Sequence, residues 1–588
     1  MIAKTNTIRI DLIASCLLFV LVIIMYSPSV NVPFQYDDIH SIKENPHIQK
    51  LSNIPIFFHR ADMFTADERS AMFRPVLLVS YALNFYFDGL RVNGFHWVNI
   101  LVHSINSILL YWFSRKLGLQ TLVAVFASFL FAFHPLNSET VNYISSRSES
   151  LSALFFLCTL FFYHITRSRV KFGFALYLSS IICFCLALLC KSVGIMIVPT
   201  LLFYEWTFFS RIGRPSAYKL SVPFAVFGIC YVYQVRSMLE ISFVSAPVRS
   251  MEMQLSTQLK ALLQYIDWLF FPWPLSVEPG FTMGVSFKLG ILCVVFLLSL
   301  FWLWWKADSI THFCFGWALF SILPTLLVPL NVLVNEHRLY IMTMTFVVAL
   351  GSIVQQYSKE NFAKICVGGI ILLLIYCRLD FMRTKQWIDS KSLWQSAQKV
   401  GSQMPRPYIF LGDIDRQEGR YEVAIQNYTL ALAVQRQALS GGDLFSIYSG
   451  IGSANISLGR WSEAEQSYLK ALRIDPESES TKLALDGIRA FHLNNQIKKS
   501  DELLRQGLLA LVSNQLDRAI DLLRKSVDFL PNARNLQALA KAHERAEQWQ
   551  EAAIVYQRIA LFENKKIMKG KSANSLFESS TKTFRDSL

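Results

Sequence analysis

The sequence predicts an all-α protein in two parts, a polytopic bundle of membrane helices followed by a solenoid of helical repeats. Of the 588 residues, 53% are hydrophobic and only 17% are charged, which is too apolar for an ordinary soluble protein. Apolar runs of membrane length are almost confined to the region before residue 377, and from residue 405 the chain becomes polar and repetitive. The predicted parts are a membrane domain at 1–380 with long outer loops at 31–94 and 236–285, a linker at 381–404, a repeat domain at 405–563 and a disordered tail at 564–588.

The membrane domain contains about eleven apolar runs of a length that suits a membrane helix. They lie at roughly 12–30, 95–113, 121–134, 150–166, 172–190, 193–209, 219–235, 286–305, 312–330, 338–356 and 362–377. The first run has no small-residue cleavage site directly after it, so we expect it to be retained as a helix rather than removed as a signal peptide.

Basic residues between the runs predict the orientation of the bundle. They precede the first helix and follow the even-numbered helices, at Lys4, Arg9, Arg115, Lys116, Arg167, Arg169, Lys171, Arg211, Arg214, Lys219, Lys306, Lys359 and Lys364. The positive-inside rule places these loops and the N-terminus in the cytoplasm. An odd number of helices then puts the repeat domain and the two long loops outside, whereas an even number would put the repeat domain inside.

Two adjacent carboxylates, Asp37 and Asp38, follow the first run where the chain emerges on the outer side. Other ionisable residues fall at the outer ends of later helices or in the first outer loop, namely His59, Arg60, Arg74, His134, Glu139, Arg147, Lys191, Glu336, His337 and Arg338. Each has an ordinary alternative, since Arg147 and Lys191 can extend to the interface and Glu336 can cap a helix. Charges at a membrane boundary are costly, so their number on one side favours a shared polar cavity.

Carboxylates near several bases suit the transfer of a group from a lipid-linked phosphate to an alcohol. The bases would neutralise the phosphate that leaves, and a carboxylate would accept the proton of the attacking hydroxyl. A divalent metal near Asp37 and Asp38 stays open, because arginine and lysine could do the same work, and we assign no metal ligand and no cofactor. The net charge of +14 is dispersed among loops and repeats, which argues against nucleic acid as a partner.

Two further patterns complete the membrane domain. The segment Gln258 to Phe271 is amphipathic and ends in Phe-Pro-Trp-Pro, which predicts a helix lying in the membrane interface. Most of the ten cysteines lie within apolar runs, and none follows Cys377. No Cys-x-x-Cys spacing occurs, so neither a zinc site nor a disulfide framework is indicated.

From Pro405 the sequence repeats, with small and large residues in the pattern of tetratricopeptide helix pairs. The strongest copy is Gly459-Arg460-Trp461-Ser462-Glu463-Ala464, followed by Asp475-Pro476. Equivalent positions Leu516 and Trp549 are 33 residues apart, close to the tetratricopeptide period. Earlier copies are spaced more widely, which requires an insertion or a degenerate unit at about 480–500. Such a solenoid offers a concave surface for a peptide or a partner protein, or else only stacks on its own chain.

These motifs together resemble a known family, the transmembrane and tetratricopeptide-repeat O-mannosyltransferases and their bacterial relatives in the GT-C superfamily. The resemblance spans nearly the whole chain and is carried by Tyr36-Asp37-Asp38 with Asn45-Pro46, Phe73-Arg74-Pro75, Gly94-Phe95-His96-Trp97-Val98-Asn99 through His103, His134-Pro135 with Glu139, Val141 and Arg147, and Glu336-His337-Arg338-Leu339-Tyr340. It implies a membrane bundle of GT-C type, a polyprenyl-phosphate sugar donor and Ser or Thr acceptors in proteins on the outer side.

The resemblance also implies roles for individual residues. Asp37 or Asp38 would be the catalytic base, and Arg74, Arg147 and Arg338 would contact the donor phosphate. Lys191 is a further candidate for a phosphate contact. From their place on the outer side, a supporting role is predicted for His59, Arg60, His134, Glu139, Glu336 and His337. In one respect the sequence departs from the family, because Lys191 is followed by Ser192 where relatives commonly have glutamate. No second acidic residue can therefore be assigned at that point.

The expected function is thus an inverting membrane glycosyltransferase that uses a lipid-phosphate sugar and a protein acceptor presented by the repeats. The alternatives are a scaffold that recruits envelope proteins without catalysis, and a glycosyltransferase with a lipid or glycan acceptor. Two glycosylation sequons, at Asn427 and Asn455, fall inside predicted repeat helices, where a glycan would disturb packing. This favours a bacterial inner membrane with a periplasmic repeat domain over an endoplasmic reticulum membrane with lumenal repeats.

Overall fold

In a computed structural model of the chain, every described element is helical, which confirms the predicted all-α fold. The structure describes residues 2–66, 72–168, 173–209, 218–244, 250–284, 287–328, 332–357, 362–434 and 439–561. The predicted tail at 564–588 and the bases Arg169, Lys171, Arg211, Arg214 and Lys359 lie outside these residues. Two compact units are formed, the first by 1–419 with 426–439 and the second by 420–425 with 440–588.

The first unit holds the helices of the membrane domain. Their bounds are α1 Ile2–Tyr26, α2 Ile54–Phe57, α3 Pro75–Asp88, α4 Val92–Leu117, α5 Thr121–Ala132, α6 Ser138–Asn142, α7 Arg147–Ser168, α8 Phe174–Cys190, α9 Ile197–Phe209, α10 Val222–Val244, α11 Met251–Phe270, α12 Phe287–Lys306, α13 Ser309–Leu327, α14 Tyr340–Tyr357 and α15 Phe362–Gln386. The predicted apolar runs each coincide with one of these helices, although several helices extend well beyond the run.

Six helical stretches of the described residues are long and apolar enough to cross a membrane. They are 9–31, 144–168, 192–209, 309–327, 336–356 and 364–386, and the bent pair formed by α5 and residues 135–142 would make a seventh. Helix α8 and residues 290–306 are apolar but shorter. The chain therefore has the membrane helices that its composition predicts, while the number of about eleven stays a prediction.

Polar contacts between helix ends fall into two groups, one at each end of the bundle. At one end Arg115 lies 3.6 Å from Asp11, and the backbone N–H of Gln120 donates to Gln355. At the other end lie the residues that follow α1 and α8 and precede α7 and α14. The first group contains Arg115 and Lys116 in the last turn of α4, two of the predicted cytoplasmic bases, as expected if that side faces the cytoplasm. We refer to the two groups as the inner end and the outer end.

Between the two ends the bundle is filled by aromatic and aliphatic side chains. Trp317 of α13 is fully buried and stacks on Phe156 of α7, with 5.8 Å between ring centroids. Closely packed aromatic rings of this kind add to the stabilisation given by apolar burial. The predicted interfacial segment is helix α11, which carries exposed apolar residues at both of its ends, including Met251 and Phe270.

Two helices after the last apolar run still belong to the first unit. Helix α16 spans Ser390–Val400 and is capped at its N-terminus by Asp389, whose side chain accepts from the backbone N–H of Ser392. Helix α17 spans Pro405–Gln417. Trp394 of α16 and Phe410 of α17 stack almost parallel, with 4.0 Å between their ring centroids. The segment expected to be a linker therefore contains a helix that packs on the first repeat helix.

The repeat helices that follow are α18 Tyr421–Ala433, α19 Gly441–Ser457, α20 Trp461–Ile474, α21 Glu479–Val512, α22 Leu516–Phe529 and α23 Ala533–Arg545. Within the second unit, Gly452 lets α19 approach α20, because a Cβ there would lie 2.8 Å from the ring of Tyr468. Gly507 does the same for α21 against Leu523. The irregular repeat expected at 480–500 is a single helix of 34 residues, α21, with no turn in its middle.

Candidate functional site

The two adjacent carboxylates occupy different environments. Asp38 is 1% exposed. Its Oδ1 accepts from the backbone N–H and the hydroxyl of Ser145, at 2.8 and 2.5 Å, and its Oδ2 accepts from the backbone N–H of Gln35 at 3.0 Å. Burial raises the pKa of Asp38 to about 7, although these hydrogen bonds act in the opposite direction. Asp38 therefore joins the first outer loop to the turn before α7.

Asp37 has its backbone fixed and its carboxylate half-exposed. Its N–H donates to the Tyr143 hydroxyl at 3.0 Å, and its C=O accepts from the Ser41 hydroxyl at 2.6 Å. The side chain is 49% exposed, and its Oδ1 lies 3.4 Å from Nε2 of His40. The His40 ring is held through Nδ1 by Thr65 at 2.8 Å. A carboxylate in such a position can accept a proton from a bound hydroxyl.

Lys191, which follows α8, lies at the outer end in an ion pair with Glu149 of α7. Burial lowers the pKa of Lys191, and the nearby guanidinium groups of Arg74 and Arg338 lower it further, while Glu149 acts against them. Arg74 also contacts the hydroxyl of Ser148 at 3.4 Å and lies over the ring of Phe64. Three basic side chains from distant parts of the sequence therefore share one electrostatic environment.

The segment 336–338 supplies the remaining acid and base groups. His337 Nδ1 lies 2.8 Å from Oε1 of Glu139, and Glu336 pairs with Arg383 of α15 at 3.1 Å. His337 also interacts electrostatically with Lys191, Glu149 and Asp37. The structure therefore brings Asp37, Arg74, Glu139, Lys191, Glu336, His337 and Arg338 into one cluster at the outer end.

Two of the predicted residues are occupied by contacts inside the protein. Arg147 is fully buried, and its guanidinium donates to Asn99, Ser80, Asn84 and the C=O of Phe95. These four hydrogen bonds favour a role in holding α3, α4 and α7 together, while its predicted contact with the donor stays untested. His134 is likewise buried, with Nε2 bonded to the C=O of Leu269 and Nδ1 accepting from the N–H of Leu136.

His59 and Arg60 lie on the exposed turn after α2, where Arg60 pairs with Asp62. Their predicted supporting role also stays a prediction. Among the described residues, no group of three or more His, Cys, Asp or Glu side chains is arranged to hold a metal ion. The question of a divalent metal near Asp37 and Asp38, which the sequence left open, stays open.

Four residues that contribute to the site were given no role from the sequence. Tyr143 and Ser145 hold Asp37 and Asp38, Glu149 pairs with Lys191, and Arg383 pairs with Glu336. The signal for Arg383 was present, since a charged residue at the outer end of the last apolar helix is expensive unless it is paired. Hydroxyls such as those of Tyr143 and Ser145 give no comparable signal in one sequence.

The comparisons with known proteins agree with the two-part fold. The tetratricopeptide repeat family model matches residues 403–477. The human protein O-mannosyl-transferase TMTC3 is 24% identical over 623 residues, which cover 94% of this chain and 66% of the relative. The protein O-mannosyl-transferase Tmtc3 of Drosophila melanogaster is 23% identical, and the match covers 89% of this chain and 65% of that relative. The chain thus spans about two thirds of the length of these curated relatives.

A solved structure, ArnT from Cupriavidus metallidurans bound to undecaprenyl phosphate, matches at 10% identity with a TM-score of 0.39. The match covers 79% of this chain and 80% of that one. Through the sequence relatives the resemblance predicted from the motifs is confirmed: over nearly its whole length the chain is similar to the protein O-mannosyl-transferases.

Proposed function

We propose that the chain is an integral membrane glycosyltransferase that moves a hexose such as mannose from a polyprenyl-phosphate donor to Ser or Thr hydroxyls of proteins on the outer face. The observation that carries the proposal is the half-exposed carboxylate of Asp37 at an end of the bundle where Lys191, Arg74 and Arg338 gather. The printed names of the relatives, which are protein O-mannosyl-transferases, support the choice of sugar and acceptor.

In the proposed reaction Asp37 is the general base. It takes the proton of the acceptor hydroxyl as that oxygen attacks the anomeric carbon, and the bond from this carbon to the phosphate oxygen breaks. The phosphate leaves with the electron pair, and Lys191, Arg74 and Arg338 stabilise the negative charge. Because the sugar is displaced once and no nucleophilic residue intervenes, the configuration at the anomeric carbon inverts.

Asp37 suits this task better than Asp38. A base must reach the proton that it accepts, and Asp38 has its two oxygens bonded to Gln35 and Ser145 in the interior. His40, 3.4 Å from Asp37, lies where it can relay the accepted proton to solvent. In this proposal Asp38 and Arg147 maintain the architecture and do not touch the substrates.

The proposed location follows from the orientation of the membrane helices that the basic loops predict. The chain is a membrane protein, and we place the cluster and the repeats together on the outer side of a bacterial inner membrane, with the endoplasmic reticulum membrane as the alternative. The repeats would present the acceptor protein, because solenoids of this type bind peptides along their surface. Membrane lipids would surround the apolar helices and the lipid tail of the donor.

Separate replacement of the two aspartates tests the proposal. We expect Asp37→Asn to lower transfer at least about 100-fold, because general bases contribute on the order of 10²–10⁴ to a rate. Asp38→Asn should lower transfer only as far as it lowers the amount of folded protein. Each variant is expressed in cells that lack the unaltered chain, at equal amounts of folded protein. Hexosylated Ser and Thr peptides from these cells are then measured by mass spectrometry.

Three results would contradict the proposal. Unchanged hexosylation with Asp37→Asn would remove the proposed base. Complete absence of hexose on proteins in cells with the unaltered chain, together with a normal cellular phenotype of Asp37→Asn, would favour the scaffold. A hexose found on lipid or glycan instead of protein would keep the enzyme and change its acceptor.

A further inference from the structure

The turn that carries Asp37 has an unusual backbone. Tyr36, directly before Asp37, has φ of +49°, a left-handed conformation that residues with a side chain rarely adopt. Such a conformation costs free energy and persists only where the surrounding contacts impose it. The contacts around Tyr36 therefore help to decide where the carboxylate of Asp37 lies.

Those contacts come from the segment after the last apolar helix. The Tyr36 ring meets Phe410 of α17 edge to face, with 5.3 Å between centroids, and lies 6.2 Å from Trp394 of α16. Trp394 and Phe410 stack on each other at 4.0 Å and 10° between planes. The hydroxyl of Ser390 donates to Oε1 of Gln35 at 2.8 Å. Two consecutive residues of the turn are therefore held by α16 and α17.

Asp37 is connected to the same segment through one residue, Tyr143. Its N–H donates to the Tyr143 hydroxyl, and the Tyr143 ring stacks on Trp387 at 5.8 Å and 22°. Trp387 is 2% exposed and lies between α15 and α16. The segment from Trp387 to Phe410 thus contacts Gln35, Tyr36 and the partner of Asp37.

We propose that Trp394 and Phe410 are positioning residues for Asp37, so that α16 and α17 complete the catalytic unit and do not merely connect it to the repeats. This inference rests on the proposed function, in which Asp37 is the base. Neither aromatic side chain needs to touch the donor or the acceptor. Their effect passes through the backbone of Tyr36, which fixes the direction of the next side chain.

The proposal predicts a specific kinetic defect. A displacement of about 1 Å at a reacting group can lower a rate about 100-fold. The basic residues that would bind the donor phosphate, Lys191, Arg74 and Arg338, have no described contact with Trp394 or Phe410, so donor affinity should be preserved. Removing either aromatic ring should therefore lower kcat and leave the KM for the donor nearly unchanged.

The experiment compares Trp394→Ala, Phe410→Ala, Trp394→Phe and a matched control. The control is Trp304→Ala, which removes an indole that packs on His312 at the inner end, with 5.1 Å between centroids. Purified full-length protein is given radiolabelled polyprenyl-phosphate mannose and membranes from cells that lack the chain. Initial rates are measured against donor concentration, and the folded fraction of each variant is measured by thermal unfolding.

We expect the two alanine variants to lower kcat about 10- to 100-fold with KM within about twofold. Trp394→Phe should restore most of the rate, and Trp304→Ala should stay within about twofold of the parent. Where an alanine variant does not fold, Ser390→Ala replaces it, since this change removes only the hydrogen bond to Gln35, and it should lower kcat about two- to fivefold.

The outcomes separate this inference from the function on which it rests. A kcat within twofold for the aromatic variants or for Ser390→Ala, or a rise in KM at constant kcat, would overturn the positioning role. An equal loss in Trp304→Ala would do so too, because it would show a general effect of lost packing. If the parent transfers no mannose, or Asp37→Asn transfers at the parent's rate, the proposed function itself fails.

Discussion

At the scale of single residues, Asp37 and Asp38 show that neighbours of the same type can have different environments. One is half-exposed beside His40, and the other is buried on Ser145. The sequence singled out the pair, but it could not distinguish the two environments, because Asp38 is buried against a serine more than a hundred residues later. Arg147 and Arg74 present the same difficulty, since burial distinguishes them while their spacing in the sequence does not.

The pH dependence of stability offers a test of the Asp38 environment. Its pKa is raised to about 7 in the folded protein, so the folded state binds the proton more tightly than the unfolded state. The stability gained in this way is complete below about pH 4 and is lost as the pH rises through 7. Asparagine cannot titrate, so the Tm of Asp38→Asn relative to the parent should rise between pH 5 and pH 8. A constant difference across this range, measured in detergent, would contradict the assignment, and Asp37→Asn serves as the comparison.

At the scale of elements, the sequence predicted most helices, because apolar runs and tetratricopeptide spacing are local signals. It did not predict the helix at Ser390–Val400, which lies in a segment too polar for a membrane run and too short for a repeat. An insertion or a degenerate unit is expected near 480–500, and there the chain forms the continuous helix α21. Residues 479–512 contain no proline, the residue that interrupts a helix most strongly.

Glycines in the repeat helices allow a prediction at the same scale. Gly452→Ala should destabilise the second unit by about 1–3 kcal/mol, because the new methyl group would overlap the Tyr468 ring of the adjacent helix. Gly487 is the matched control, since it lies in helix α21 and a Cβ there meets nothing within 4 Å. Gly487→Ala should stabilise the helix by about 0.5–1 kcal/mol. Thermal unfolding of both full-length variants decides the matter, and equal shifts in the same direction would refute the packing argument.

At the scale of the whole molecule, the change in composition at residue 405 predicted two parts, whereas the first compact unit extends to residue 419 and includes 426–439. The side of the membrane inferred from the basic loops stays a prediction. The sequence predicted that the residues of the outer cluster lie on one side of the membrane, but not which of them pair. The pairs Glu139 with His337 and Glu336 with Arg383 join segments that are far apart in the sequence. One sequence carries no signal for such pairings.

The predicted orientation can be tested with single cysteines. Ser462→Cys, exposed in the repeat unit, should react with a membrane-impermeant maleimide applied to the outer side. Lys116→Cys, exposed at the inner end, should react only after the membrane is permeabilised. The parent chain is the background control, because its ten cysteines all precede the repeats. Labelling of both variants from the same side would refute the odd number of membrane helices.

The stack of Trp394 on Phe410 also has a consequence for the way the protein is made. The turn with Asp37 leaves the ribosome before most of the membrane domain, whereas the two rings that meet Tyr36 follow after that domain. At ordinary rates of synthesis the interval is on the order of tens of seconds. During that time Asp37 lacks the contacts that Trp394 and Phe410 make with Tyr36. Activity should therefore begin only when the segment after α15 has been translocated. An incomplete chain, stalled or cleaved before residue 394, would therefore be a poor enzyme even with every charged residue of the outer cluster in place.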